Sequence, residues 1–172
     1  PSHGLIWGSY LPELLKEYRK WASNETDRKA VIVYDTMWGS TREMALALQD
    51  GIEDSGVPVT MKSLQTNHIS QIVPDILTAK LVLVGSSTIN NGMLPTVAAF
   101  LTYIKGLRPK KRTGFAFGSY GWGGQGAREV ASVLQEMGWE MPEETVNLQY
   151  VPGKEDLDNL KQVGVKLAGA IE

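Results

Sequence analysis

The stretch "VIVYDTMWGSTREMALAL", residues 31–48, decides how the rest of the chain is read. It opens as a β-branched, apolar strand and becomes a helical pattern from Thr41. Between the two lies a short turn that carries hydroxyls and one glycine but no lysine. A strand that runs through such a turn into a helix N-terminus gathers hydroxyls and free backbone N–H groups in one place.

The same alternation continues outward from this segment. Lys29–Tyr34, Val57–Leu64, Lys80–Gly85, Arg112–Gly118 and Thr145–Val151 read as strands, several with the continuous apolar runs of strands covered on both faces. Helical patterns fall at Thr41–Ser55, Ile69–Ala79, Pro95–Gly106, Gly126–Gly138 and Lys154–Ile171. Gly56, Gly106 and Gly138 follow helical runs as C-terminal stops, and Pro95 suits a first helical position. Five strand–helix alternations predict an α/β fold: a doubly wound five-stranded parallel sheet with helices on both faces. Tyr10–Ser23 reads as an additional amphipathic helix, and Ser23–Arg28 as a polar linker.

Composition narrows the function classes. The 172 residues are 42% hydrophobic and 21% charged, which suits one globular domain with a full core. A formal net charge of −2 gives no general attraction to nucleic acid or to an anionic membrane. The chain has no cysteine, which excludes disulfides, iron–sulfur clusters and thiolate zinc sites. No apolar run approaches the ~20 residues of a membrane span, and no secretory signal opens the chain. The expectation is a cytoplasmic protein with neither nucleic-acid nor membrane partners.

In a parallel sheet of this kind ligands sit beyond the carboxyl ends of the strands. Three such ends are rich in Gly, Ser, Thr and Asn: "DTMWGST" (Asp35–Thr41), "GSSTINNG" (Gly85–Gly92) and "GSYGWGGQG" (Gly118–Gly126). In the first, the hydroxyls of Thr36, Ser40 and Thr41 and the N–H groups of Trp38 to Thr41 can surround a phosphate using dipoles alone, with Gly39 allowing close approach. It lacks the terminal Gly-Lys-Ser/Thr of a nucleoside-triphosphate loop and the three spaced glycines of a dinucleotide turn. An ordinary N-cap accounts for this turn alone equally well. The other loops tip the balance. Tyr120 and Trp122 sit on a glycine-rich loop where flat rings can cover a flat ligand, and "STINNG" (Ser87–Gly92) offers amides to a heterocycle's edge. One phosphate, one ring system and one polar edge make a mononucleotide with a large ring.

From about Lys29 to Ile171 the chain resembles a flavodoxin-type FMN domain. Thr36-Met37-Trp38-Gly39-Ser40-Thr41 resembles the phosphate loop T/S-x-T-G-x-T, with Trp38 in place of the middle hydroxyl. "TMWGST", "GSSTINNG" and "SYGWGG" together are most similar to the flavodiiron (A-type flavoprotein) family, in which a di-iron domain precedes the flavodoxin domain. The opening Pro1-Ser2-His3-Gly4-Leu5-Ile6-Trp7 resembles the last iron-binding motif of that domain, with His3 at the ligand histidine. The resemblance implies residues 1–28 as the remnant of a di-iron domain plus a linking helix, and residues 29–172 as the flavodoxin-like domain. It implies FMN here and a di-iron centre in the preceding domain, a rubredoxin-like electron donor, and a homodimer at full length. The activity implied is reduction of O2 to water or of NO to N2O. The FMN site it implies comprises Thr36, Met37, Trp38, Gly39, Ser40 and Thr41; Ser86, Ser87, Thr88, Ile89, Asn90, Asn91 and Gly92; and Ser119, Tyr120, Gly121, Trp122, Gly123 and Gly124. Two other classes are a flavodoxin-like FMN-dependent quinone reductase and a non-redox nucleotide-binding regulator. Flavin absorption bands separate the last from the redox readings.

The remaining motifs carry less. One histidine, His68, cannot make a metal site and reads as a solvated loop residue. Asp35 lacks the neighbouring acids and conjugate lysine of a phosphoacceptor. Arg42 reads as a solvated first-turn side chain, and Tyr18 and Trp21 as packing residues. The basic run "RPKKR" (Arg108–Arg112) reads as a solvated edge with the option of docking an acidic redox partner.

Overall fold

The computed structural model describes Gly4 and residues 8–171. The first half of the chain forms α1 (Leu11–Ser23), β1 (Asp27–Asp35), α2 (Ser40–Asp54), β2 (Val59–Ser63), α3 (Ile69–Thr78) and β3 (Ala79–Ile89). The second half forms β4 (Gly92–Met93), α4 (Pro95–Leu107), β5 (Thr113–Tyr120), α5 (Gln125–Glu136), β6 (Val146–Gln149) and α6 (Lys154–Gly169). The main sheet runs in the order β2-β1-β3-β5-β6, with every neighbouring pair parallel. Among the described residues, no helix is long and apolar enough to cross a membrane.

Alternation along the central strands feeds two cores. Val31, Val33, Val82, Val84 and Ala116 face α3, α4 and α5, whereas Ile32, Leu81, Leu83, Phe115 and Phe117 face α2 and α6. Burial on both faces is why β1 and β3 read as unbroken apolar runs. α2 and α6 cross at glycine: a Cβ at Gly51 would lie 2.0 Å from the Lys161 carbonyl oxygen, and one at Gly164 2.5 Å from that of Leu48. That close seat fixes α2, whose N-terminus points at the site, against the sheet.

The structure departs from the sequence reading at several ends. The linker contributes to the sheet, since β1 starts at Asp27 and Asp27 pairs with Ala79. β3 continues through Ser86–Ile89 and turns back through β4, so part of the expected loop is an antiparallel hairpin. Asn90 and Asn91 are its two tip residues, both at positive φ (48° and 61°), the arrangement of a tight two-residue hairpin. Gly106 lies inside α4, and Arg108, at φ 53°, ends that helix instead. Tyr18 is largely exposed and meets Trp21 edge-on with centroids 5.3 Å apart.

The basic run is not a uniformly solvated edge. Arg112 is 1% exposed. Its guanidinium donates to the carbonyls of Ile76 (3.3 Å) and Leu77 (2.7 Å) at the end of α3, to that of Lys110, and to that of Asn24 (3.5 Å) after α1. Asn24 Oδ1 in turn accepts from Lys110 N at 2.8 Å. Burial pushes the Arg112 pKa below the usual arginine value. One buried fork thus bolts α1, α3 and the α4–β5 loop together at the amino end of the sheet.

Candidate functional site

At the opposite end, β1, β3, β5 and β6 finish side by side and open a cleft of about 320 Å³. The turn after β1 divides its own hydrogen bonds. Thr36 N donates to Asp35 Oδ1 (2.7 Å), Met37 N to Ser87 Oγ (3.4 Å) and Gly39 N to Thr36 Oγ1 (3.1 Å). Gly39, at φ 94°, is the N-cap of α2, and no side chain caps that helix among the described residues. A helix start of this kind leaves its first-turn N–H groups open and carries the positive end of the macrodipole. Those of Ser40 and Thr41, together with Trp38 N, are the groups left for an anion.

Asp35 is buried and its carboxylate is fully engaged. Besides Thr36 N it accepts from Gln65 Nε2 at 2.8 Å and from the Thr96 hydroxyl, and Gln65 Nε2 also reaches Thr36 O at 2.6 Å. These bonds tie the turn to the β2–α3 loop and to the start of α4. Asp35 therefore shapes the turn.

Beneath the cleft, three buried hydroxyls from three elements meet. Thr41 Oγ1 lies 2.9 Å from both Ser87 Oγ and Ser119 Oγ, which are 3.4 Å from each other. Thr41 is fully buried, so its hydroxyl faces the two serines. Ser87 and Ser119 reach the cleft wall with Met37, Trp38, Ser40, Thr88, Tyr120 and Gly121. An adjoining recess of about 280 Å³ shares Met37, Trp38, Thr88 and Gly121 with the cleft and adds Asn90, Asn91, Trp122 and Gly123. Trp38 is 92% and Trp122 99% exposed, so two indoles stand at the mouth without burying into the protein.

Other residues expected at the site stand behind it. Ser86 is buried; its hydroxyl accepts from Leu94 N (2.9 Å) and donates to Ser87 O (2.8 Å). Ile89 and Gly92 pair with each other across the hairpin. Thr88 Oγ1 accepts from Gly126 N (3.1 Å) and Glu129 Oε2 from Met93 N (2.9 Å), which anchors the hairpin to α5. Gly124 O accepts from Asn147 Nδ2 at 2.6 Å. His3 lies outside the described residues. His68, expected in a solvated loop, caps α3, its Nδ1 accepting from Ser70 N at 3.3 Å. Arg42 is exposed and pairs with Glu43 at 3.4 Å. Among the described residues no group of three or more His, Cys, Asp or Glu is placed to hold a metal ion.

Tyr150 and Val151, beyond β6, also line the cleft, and the sequence reading did not include them. The signal was available: they follow the fifth parallel strand at its carboxyl end, where the rule that selected the other three loops applies equally.

A parallel sheet with helices on both faces and a cleft at its carboxyl edge define an α/β domain of the doubly wound type. The family model described as flavodoxin matches residues 32–162, and the chain belongs to that family. Over nearly its whole length it is similar to flavodiiron proteins and oxidoreductases. A nitric oxide reductase of Moorella thermoacetica is 42% identical over 99% of this chain and 43% of that protein. The structure of rubredoxin oxygen:oxidoreductase from the anaerobe Desulfovibrio gigas matches with a TM-score of 0.90 at 41% identity, over 93% of this chain and 40% of that one. The flavodiiron protein from Giardia intestinalis matches with a TM-score of 0.91 at 28% identity, over 98% and 42%. The chain thus spans about two fifths of the length of these relatives.

Proposed function

We propose that this chain is the FMN-binding, electron-entry module of a flavodiiron oxidoreductase. The observation that carries the reading is the uncapped start of α2, facing a cleft whose mouth presents Trp38 and Trp122. The donor set suits FMN: neutral N–H groups and hydroxyls fit one terminal phosphate dianion and supply no lysine for a second.

The N–H groups of Trp38, Ser40 and Thr41 and the hydroxyls of Thr36 and Ser40 hold the phosphate, with Gly39 giving the backbone its close approach. Thr41, Ser87 and Ser119 keep that turn in register with the ends of β3 and β5 through their shared hydroxyl cluster. Trp38, Tyr120 and Trp122 cover the ring and exclude water from it. Asn90, Asn91 and the backbone of Gly121–Gly123 offer polar groups to its edge. Bound there, the flavin supplies the electron-carrying chemistry, while the protein sets its geometry and electrostatics.

On this reading residues 1–28 connect to a di-iron domain, with His3 a ligand there, and residues 29–172 are the module itself. Electrons arrive from a rubredoxin-like donor, and the full-length homodimer reduces O2 to water or NO to N2O in the cytoplasm. Chromatography of the cofactor released from the purified chain tests the reading. FMN is expected, and recovery of mainly FAD, or of no flavin after incubation with FMN, overturns it.

A further inference from the structure

We propose that Tyr150 is an additional contact residue for the bound flavin, held in a strained backbone conformation by a clip between β6 and the glycine-rich loop. The inference rests on the flavin reading above and adds a fourth wall to the site.

Three observations carry it. First, Tyr150 has φ 65°, in the left-handed region. Bulky residues rarely adopt that conformation, and Gly or Asn takes it at little expense. Asn occupies it at positions 24, 90 and 91 of this chain, and Arg108 and Lys111 take it in the loop after α4, away from the cleft. Conformations of this kind persist where surrounding structure enforces them, and they gather at ligand clamps. Second, the tyrosine is 62% exposed, so burying its ring in the core does not explain the strain. Tyr150 lines the 320 Å³ cleft together with Tyr120.

Third, three bonds run from this edge strand to the loop that carries Trp122. Tyr150 N donates to Tyr120 O (2.7 Å), Gln149 Nε2 to Gly121 O (2.9 Å) and Asn147 Nδ2 to Gly124 O (2.6 Å). Each takes up a carbonyl of the glycine-rich segment, and the Trp122 ring on that segment stays exposed. The Asn147 amide does this while its Oδ1 is buried without a partner among the described residues. β6 is therefore the frame that fixes the ring loop, and Tyr150 is the point where that frame meets the ligand.

The experiment titrates the apoprotein of the whole chain with FMN and with riboflavin, alongside thermal unfolding of each apoprotein. Tyr150→Asn and Tyr150→Gly accept the left-handed backbone but remove the ring. Both ligands should weaken together by about tenfold, the scale of one aromatic stacking contact. The apoprotein Tm should stay level or rise, since the strain is relieved. Tyr150→Phe should keep wild-type affinity. Gln149→Ala should weaken both ligands by about threefold through the loosened loop.

Wild-type affinity in Tyr150→Asn and Tyr150→Gly overturns the inference. So does a fall in apoprotein Tm that accompanies their affinity loss, because the ring would then serve the fold. An unchanged Gln149→Ala overturns the clip. If the unmodified chain binds neither ligand, the flavin reading itself fails; if it binds both and the variants match it, this inference alone does.

Discussion

The two ends of the sheet draw on similar polar chemistry and use it in opposite ways. At the amino end, Arg112 is buried and each nitrogen of its guanidinium meets a backbone carbonyl, from Ile76, Leu77, Lys110 and Asn24. At the carboxyl end, α2 starts without a side-chain cap, and Trp38 and Trp122 stand almost fully in solvent. Polar groups satisfied within the chain hold the fold together. Polar groups and rings left open at a cleft are available to something outside it.

The largest effect should come from breaking the satisfied end. Arg112→Met removes donors from several buried or half-buried carbonyls, and about 3 kcal/mol of unfolding free energy is expected to go with them. Arg112→Lys should recover little of it, because an ammonium cannot replace a planar fork. Urea unfolding measures both variants. Flavin affinity of the folded protein should not change, and a large affinity loss would mean that the two ends are coupled through the sheet.

Trp122→Ala should behave in reverse. The indole is almost entirely exposed, so unfolding free energy should move by no more than ~0.5 kcal/mol. Removing a stacking ring should weaken flavin by about 1–3 kcal/mol, equally for FMN and riboflavin. A fluorescence-quenching titration reads both. An unchanged affinity would leave Trp122 a bystander and move the ring contact to Tyr120 or Trp38.

This contrast also shows what was legible beforehand. The alternation of continuous apolar strands with helical patterns specified the sheet and its two helix layers, because burial on both faces leaves a one-dimensional trace. That three loops would meet at one cleft was legible because all three follow parallel strands at their carboxyl ends. Side-chain direction within them was not. Ser86 and Ser87 are adjacent and identical in type, yet alternation along β3 sends one to cap Leu94 and the other to the cleft. Arg112 looked like its basic neighbours, since its burial depends on α1 and α3 converging from distant parts of the chain. Tyr150 reads from the sequence as the inside of the fifth strand, whereas β6 ends at Gln149 and puts it at the carboxyl end beside the cleft.

Thr41→Val is the next step down and tests the join between the two behaviours. Thr41 belongs to the satisfied class, through Ser87 and Ser119, but sits in the first turn of the open helix. Losing the hydroxyl should cost about 1–2 kcal/mol of stability, as two buried serines lose a partner. FMN should weaken more than riboflavin, because the displaced group is the helix turn that meets the phosphate. Equal weakening of the two ligands would show that the cluster supports the ring side of the cleft instead.

The smallest effect should come from the exposed charges of the amino end, which the sequence offered as a dock for an acidic electron donor. Lys105 pairs with Glu136 at 2.5 Å in a solvated setting, and pairs of that kind contribute about 0–1 kcal/mol. β5 separates this end from the cleft by eight residues, or about 26 Å at ~3.3 Å per residue. That is about three times the Debye length of about 8 Å at physiological ionic strength, so these charges exert little field at the cleft. Electronic coupling also falls exponentially with distance, which makes a donor seated here too remote to reduce a ring at the far edge. Arg108→Gln combined with Lys110→Gln should therefore leave both flavin affinity and the rate of flavin reduction by reduced rubredoxin unchanged within about twofold at physiological ionic strength. Stopped-flow bleaching of the flavin band measures that rate. A tenfold fall would place the donor at the amino end after all, and would require an electron path through the sheet that the division between bolted and open ends does not provide.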